Sequence, residues 1–204
     1  MFYGHAWNLS YCSAAGGETT STTLEWWLLA MLVYPEVQAR AHTELDEVVG
    51  RSRLPTFDDV PSLPYIRAMV NETLRWSPLT PLGIPHTSTT DDVYEGMFIP
   101  KGTICFQNMR VLNSRTEVFG SNAAEFDPSR YLDKEGRVKG QVGGKEEGHV
   151  SFGYGRRVCP GRFVAQRTLV IDIATLLWAM RLERPQGAQG ELDTHTLVHS
   201  GITS

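Results

Sequence analysis

Apolar residues recur at helical spacing over most of the first 76 positions and again near the end of the chain. The pattern over residues 13–33 predicts a helix, weakened by Gly16-Gly17 and by the cluster Thr19, Thr20, Ser21, Thr22 and Thr23. Pro35 suits the first position of a second helix, which runs through Val37, Ala41, Leu45 and Val48 and stops at Gly50. A third helix is expected to start at Ser62, with Pro64 just inside it, and to end before Ser77-Pro78. Its apolar face is Ile66, Met69, Val70, Thr73 and Leu74. Arg67, Asn71, Glu72 and Arg75 lie opposite and are predicted to face solvent.

Prolines 78, 81, 85 and 100 then keep the backbone extended or turning. Residues 93–99 read as two short strands about Glu95-Gly96, and Lys101-Gly102 makes a further turn before residues 103–107. Residues 136–148 are polar and glycine-rich, the composition of a surface loop. Residues 160–182 form the last predicted helix, apolar nearly all round after Phe163 and so expected to be buried; beyond Pro185 the pattern is irregular. The fold class is mainly α with a minor β component.

Composition narrows the partners. The 204 residues are 41% hydrophobic and 21% charged, which suits a globular chain, and a formal net charge of -4 with no basic run disfavours nucleic acid. Cys12, Cys105 and Cys159 are odd in number and far apart, so neither a disulfide framework nor a zinc site is expected. Residues 1–8 lack the basic and apolar regions of a signal peptide. The most apolar stretches, 24–34 and 169–180, are short for a bilayer and contain Glu25 and Asp172. No membrane crossing is expected.

The densest chemistry lies in Phe152-Gly153-Tyr154-Gly155-Arg156-Arg157-Val158-Cys159-Pro160-Gly161. Glycines allow a tight loop to lie flat against a large body, and Gly161 leaves room for close approach. With Pro160 read as the first helical residue, the sulfur falls at a helix amino terminus, where the dipole, Arg156 and Arg157 favour a thiolate. A free thiol of this kind is most often structural. A nucleophilic role needs a general base that nothing nearby nominates, and the spacing fits neither phosphate-binding fingerprint.

The same ten residues are similar to the haem-binding signature of the cytochrome P450 family, Phe-x-x-Gly-x-Arg-x-Cys-x-Gly, met here by Phe152, Gly155, Arg157, Cys159 and Gly161. Upstream, Glu72-Thr73-Leu74-Arg75 resembles the family's Glu-x-x-Arg, and Phe126-Asp127-Pro128-Ser129-Arg130-Tyr131 resembles the motif whose arginine, here Arg130, completes a buried triad with Glu72 and Arg75. Taken singly, these pairs read as surface residues. Ala15-Gly16-Gly17-Glu18-Thr19-Thr20 resembles the oxygen-activating segment of the helix crossing the haem, where a glycine pair and a hydroxyl can open the helical ladder to water; without the resemblance it reads as a frayed helix start. Pro85-His86 stands where members carry a basic residue against a haem propionate, and Leu82 to Ile84 would line the substrate pocket.

The resemblance thus implies the C-terminal part of the cytochrome P450 fold: a partial haem-thiolate domain over 1–204, with a helical part at 13–76, a hairpin and meander region at 78–135, the cysteine loop at 149–161 and the last helix at 160–182. It implies haem b (iron protoporphyrin IX) with Cys159 as metal ligand. Arg157, Phe152, Gly155, Gly161, His86, Ala15 and Gly16 would lie against the cofactor, and Thr19 and Glu18 would act in proton delivery. The implied reaction is insertion of one atom of O2 into a small hydrophobic organic substrate, with electrons from NADPH through a reductase partner. The motifs Leu74-Arg75-Trp76 and Gly83-Ile84-Pro85-His86 resemble fungal members and suggest secondary metabolism.

Family members are much longer and are usually anchored in the endoplasmic-reticulum membrane. No anchor is read in this chain, so a cytoplasmic or unknown location is expected. An inactive haem-binding fragment, exposing Trp26-Trp27-Leu28-Leu29, and an O2-independent isomerase or dehydratase are the alternative functions.

Overall fold

A computed structural model describes residues 3–139 and 148–184, with side chains from Gly16 onward. Helices dominate. The order is α1 (Tyr3–Val33), α2 (Pro35–Val48), α3 (Pro64–Trp76), β1 (His86–Thr87), β2 (Asp92–Tyr94), β3 (Met97–Ile99), β4 (Ile104–Cys105), α4 (Met109–Asn113), α5 (Thr116–Phe119) and α6 (Arg162–Ala179). Single 3-10 turns occupy Val60–Ser62, Pro128–Tyr131 and Gly155–Arg157. Expectations for residues 140–147 and for those beyond Pro185 lie outside the described residues. Among the described residues, no helix is long and apolar enough to cross a membrane.

The first helix is longer than its pattern suggests. It starts at Tyr3 and continues through Gly16-Gly17; in the turns that follow, Ser21 and Thr23 direct their hydroxyls back onto the carbonyls of Glu18 (2.9 Å) and Thr19 (2.8 Å), which spends them within the helix. Helix α2 has the expected bounds: Pro35 lies in its first turn, and Gly50 follows with φ of 71°. Val37, Ala41 and Leu45 form its buried stripe.

Helix α3 departs from its amphipathic reading. It starts at Pro64 after Leu63, and neither Ser62 nor Leu63 caps it. Its cap comes from α2, whose Glu44 carboxylate accepts the backbone N–H groups of Tyr65 (2.7 Å) and Ile66 (3.0 Å). That carboxyl titrates above its ordinary range because burial outweighs the two N–H bonds and the nearby Arg40. The helix touches α1, α2, α4, α6 and both the Val60–Ser62 and Pro128–Tyr131 turns, so it lies at the centre of the packing. Glu72 and Arg75 are therefore buried, while Arg67 and Asn71 are half-buried.

Around α3 the core gathers Trp27 and Met31 from α1, Leu45 from α2, Ile66 and Met69 from α3, and Leu169, Ile173 and Leu177 from α6. Trp27 directs its indole N–H to the Met69 sulfur at 3.0 Å. Trp26 and Trp27 are buried, against the expectation of an exposed apolar run; of that run only Leu28 is exposed. Helix α6 starts at Arg162, with Gly161 as its cap, and not at Pro160. Its burial also starts later than expected, at Leu169, since Phe163 and Val164 are exposed.

The strands form two small antiparallel pairs. In β2–β3, Glu95 (φ 49°) and Gly96 (φ 80°) make the two-residue turn that the sequence indicates. In β1–β4, His86 lies opposite Cys105.

Glu44→Ala should lower stability by about 1–2 kcal/mol, the value of a lost helix cap. A lower denaturant midpoint with unchanged slope is the expected reading, whereas Glu47→Ala, an exposed position on the same helix, should leave the midpoint in place.

Candidate haem-thiolate site

The site is built outward from one carboxylate. Glu72 is fully buried, and its oxygens meet Arg75 at 2.6 and 2.7 Å, Arg130 Nε at 2.9 Å and the Asp127 backbone N–H at 2.8 Å. Burial depresses the Arg75 guanidinium, but its hydrogen bond and charge pairing with Glu72 carry it above its ordinary value. The remaining N–H groups are spent on backbone. Arg75 donates to the carbonyls of Asn113 (2.8 Å), Ala123 (2.8 Å) and Glu125 (2.9 Å), and Arg130 to those of Phe119 (2.6 Å), Asn122 (3.1 Å) and Glu125 (3.3 Å). Side-chain exposure is 1% for Arg75 and 7% for Arg130, so neither is the surface residue that its local sequence suggests.

A second tier joins this network to the cysteine loop. Asn113 ends α4; its carboxamide oxygen accepts the Val150 N–H (3.0 Å) and its nitrogen donates to Ser151 Oγ (2.9 Å). Ser151 Oγ in turn donates to the Leu74 carbonyl at 2.6 Å. His149 accepts the Ser151 N–H at Nδ1 (3.2 Å), which leaves its proton on Nε2, a buried atom without a protein partner. Burial first, and then the Arg75 charge, lower its pKa to about 3. Tyr131 donates its hydroxyl to the Gly148 carbonyl at 3.1 Å. None of Asn113, His149 and Ser151 stands out in the sequence; only the alternation His149-Val150-Ser151-Phe152 hints that two polar side chains share a face.

The loop closes on itself. The Cys159 N–H donates to the Phe152 carbonyl (2.9 Å), and Gly153 and Gly155 take φ of 71° and 69°. A Cβ added at either glycine would meet nothing within 4 Å, whereas one added at Gly161 would lie 3.9 Å from the Cys159 sulfur. That sulfur belongs to a half-buried residue two positions before the cap of α6, two steps further from the helix than Pro160 as first helical residue would place it. Arg156, Arg157 and Tyr154 are exposed, and Phe152 is half-buried with its ring 5.5 Å from that of His149.

An open cleft of about 690 Å³ adjoins the loop, lined by Tyr154, His86, Cys105, Phe106, Val111 and Leu112 among others. Leu82 and Ile84 are exposed beside this region of the chain. Structure and sequence motif thus bring Phe152, Gly155, Arg157, Cys159 and Gly161 into one loop, join Glu72, Arg75 and Arg130, and put His86 and Tyr154 on one cleft. Thr19 is half-buried and Glu18 exposed on α1; among the described residues no hydrogen bond links either to the cysteine loop. Gly16 is exposed, and the side chain of Ala15 lies outside the described residues. The unbroken helix at Gly16-Gly17 replaces the expected opening of its ladder.

The family model for cytochrome P450 matches residues 8–202, and the chain belongs to that family. Similar fungal proteins are a cytochrome P450 monooxygenase of Armillaria gallica, 52% identical over 98% of this chain and 39% of its own length, and one of Postia placenta, 44% identical over 91% and 35%. A third, from Amanita muscaria, is 36% identical over 90% of this chain and 41% of its own length. The chain therefore spans about two fifths of the length of these curated relatives.

Glu72→Gln would leave two guanidiniums buried without their counter-charge and should cost about 3–5 kcal/mol in equilibrium unfolding. A second expectation concerns acid. Because His149 is held neutral in the fold, with a pKa lowered from 6.5 to about 3, its contribution is complete above pH 6.5 and is lost as pH falls toward 3. His149→Phe should flatten the fall in stability through that window, as read from denaturant midpoints at stepped pH.

Proposed function

We propose that this chain is the haem-binding part of a monooxygenase, with Cys159 as the metal ligand. The observation that carries the reading is the half-buried Cys159 sulfur two residues from Gly161, whose added Cβ would stand in van der Waals contact with it at 3.9 Å, in a loop where Gly153 and Gly155 leave open space. The donor set also fits: one soft sulfur for iron, and exposed Arg156 and Arg157 for carboxylates. Haem b, when bound, supplies the activation of O2 and the transfer of one oxygen atom to a hydrophobic organic substrate.

In this reading Cys159 Sγ would ligate the metal and supply electron density to it, and Phe152 would shield the sulfur from water. Arg157 and His86 hold the propionates. Gly155 and Gly161 would permit close approach of the cofactor, and Ala15 and Gly16 would lie against it. The Thr19 hydroxyl would serve in proton delivery, with Glu18 as its acidic neighbour. Glu72, Arg75 and Arg130 fix the polypeptide behind the loop. Electrons come from NADPH through a reductase partner.

The test is the absorption spectrum of the haem-loaded chain, reduced and exposed to carbon monoxide. A thiolate ligand gives a red-shifted band that a nitrogen ligand does not. Cys159→Ser should abolish that band, while Cys12→Ser and Cys105→Ser should keep it; a wild-type spectrum of the nitrogen-ligated kind removes the proposal. Turnover of a panel of apolar substrates with reductase and NADPH then separates a catalyst from an inert haem binder.

A further inference from the structure

The cysteine loop is held to the rest of the molecule mainly by side chains. Three of its backbone-to-backbone bonds, Gly153 to Val150, Val158 to Gly155 and Cys159 to Phe152, close within the loop, and two more join its end to α6, where the Cys159 and Gly161 carbonyls accept the N–H groups of Arg162 (3.5 Å) and Ala165 (2.9 Å). Outward bonds run from the Val150 N–H to Asn113 Oδ1, from Ser151 Oγ to the Leu74 carbonyl and from Asn113 Nδ2 to Ser151 Oγ. Leu74 lies in the last turn of α3, where carbonyls lack a helical partner, so the Ser151 hydroxyl fills a vacancy that the helix itself creates. It does so while accepting from Asn113, which is 1% exposed and whose own carbonyl is held by Arg75. A continuous path of short bonds therefore leads from Glu72 through Arg75, Asn113 and Ser151 to Phe152, the residue whose carbonyl receives the Cys159 N–H.

We infer that Asn113 and Ser151 are positioning residues of the cysteine loop, setting where the Cys159 sulfur stands relative to the buried carboxylate network. The consequence for metal ligation rests on the reading of Cys159 given above; the fastening of the loop does not. Serine suits the post because one hydroxyl donates to a carbonyl and accepts from a carboxamide at once. Alanine leaves both of those partners without that bond in a water-poor place, and of the outward side-chain bonds named above the loop then keeps the one from the Val150 N–H to Asn113.

Amide hydrogen exchange on the full chain tests the fastening, comparing wild type with Ser151→Ala and Ser151→Thr. In Ser151→Ala the amides of Val150 and Cys159 should exchange about tenfold faster, the order expected for loss of a buried hydrogen bond, while those of Leu169 and Ile173 in α6 keep their rates. Ser151→Thr retains the hydroxyl and should restore slow exchange in the loop. In the haem-loaded chain, Ser151→Ala should also reduce the thiolate share of the carbon monoxide spectrum. Unchanged loop exchange overturns the inference, and so does equal acceleration in α6, which would mark Ser151 as a general packing residue. Wild type without a thiolate band, but with the loop selectively loosened in Ser151→Ala, upholds the positioning role and overturns the haem reading instead.

Discussion

A carboxylate with no access to water is held between two guanidiniums, and most of the fold is arranged around that fact. Glu72 on α3 cannot be buried unless Arg75 and Arg130 accompany it, and neither arginine can be buried unless its remaining N–H groups find acceptors. They find them in the irregular backbone between residues 113 and 125, which has little regular structure to hold it in shape. A segment that could otherwise adopt many conformations is pinned at five carbonyls by two side chains. Replacing the cluster with hydrocarbon would remove the desolvation cost, and with it the instructions that shape the meander.

From there the order passes to the loop that carries the sulfur. Asn113 belongs to both tiers: its carbonyl serves Arg75 and its carboxamide serves Val150 and Ser151. The chemistry-bearing loop is thus supported from below by polar contacts and stays uncovered above, where Tyr154, Arg156 and Arg157 are exposed. Rigid backing with an open face is the geometry required of a surface that must meet a large planar partner without collapsing onto it.

What the sequence discloses depends on how local the determining physics is. The turn at Glu95-Gly96, the start of α2 at Pro35 and its stop near Gly50 are decided by a few adjacent residues, and all were legible. The cysteine loop was legible for another reason, since many of its positions are constrained at once in a short span. The burial of Glu72 was legible only through the family resemblance, since periodicity pointed the other way. Its partner Arg130 is 58 positions away, and charges along α3 imitate the solvent face of an ordinary amphipathic helix. Asn113 and Ser151 carry no periodicity at all, because their role is to satisfy particular carbonyls and N–H groups that exist only once the chain has folded. The exposed opening turns of α6 escaped notice because hydrophobicity alone does not say which neighbour covers a residue.

The capping of α3 by Glu44 has a bearing on how this chain tolerates change. A helix normally takes its first acceptor from the residue just before it, so that lengthening the preceding connection disturbs its start. Here the acceptor belongs to α2, and the connection over residues 50–61 carries no duty toward the first turn it leads to. Added length there would leave that cap in place and cost the slowly growing entropy of a wider loop, together with any of the span's own bonds that it displaced, such as Arg51 to the Trp178 carbonyl and Arg53 to Asp59. A change of length between those two helices would accordingly leave the helix bearing Glu72 with its first-turn acceptor.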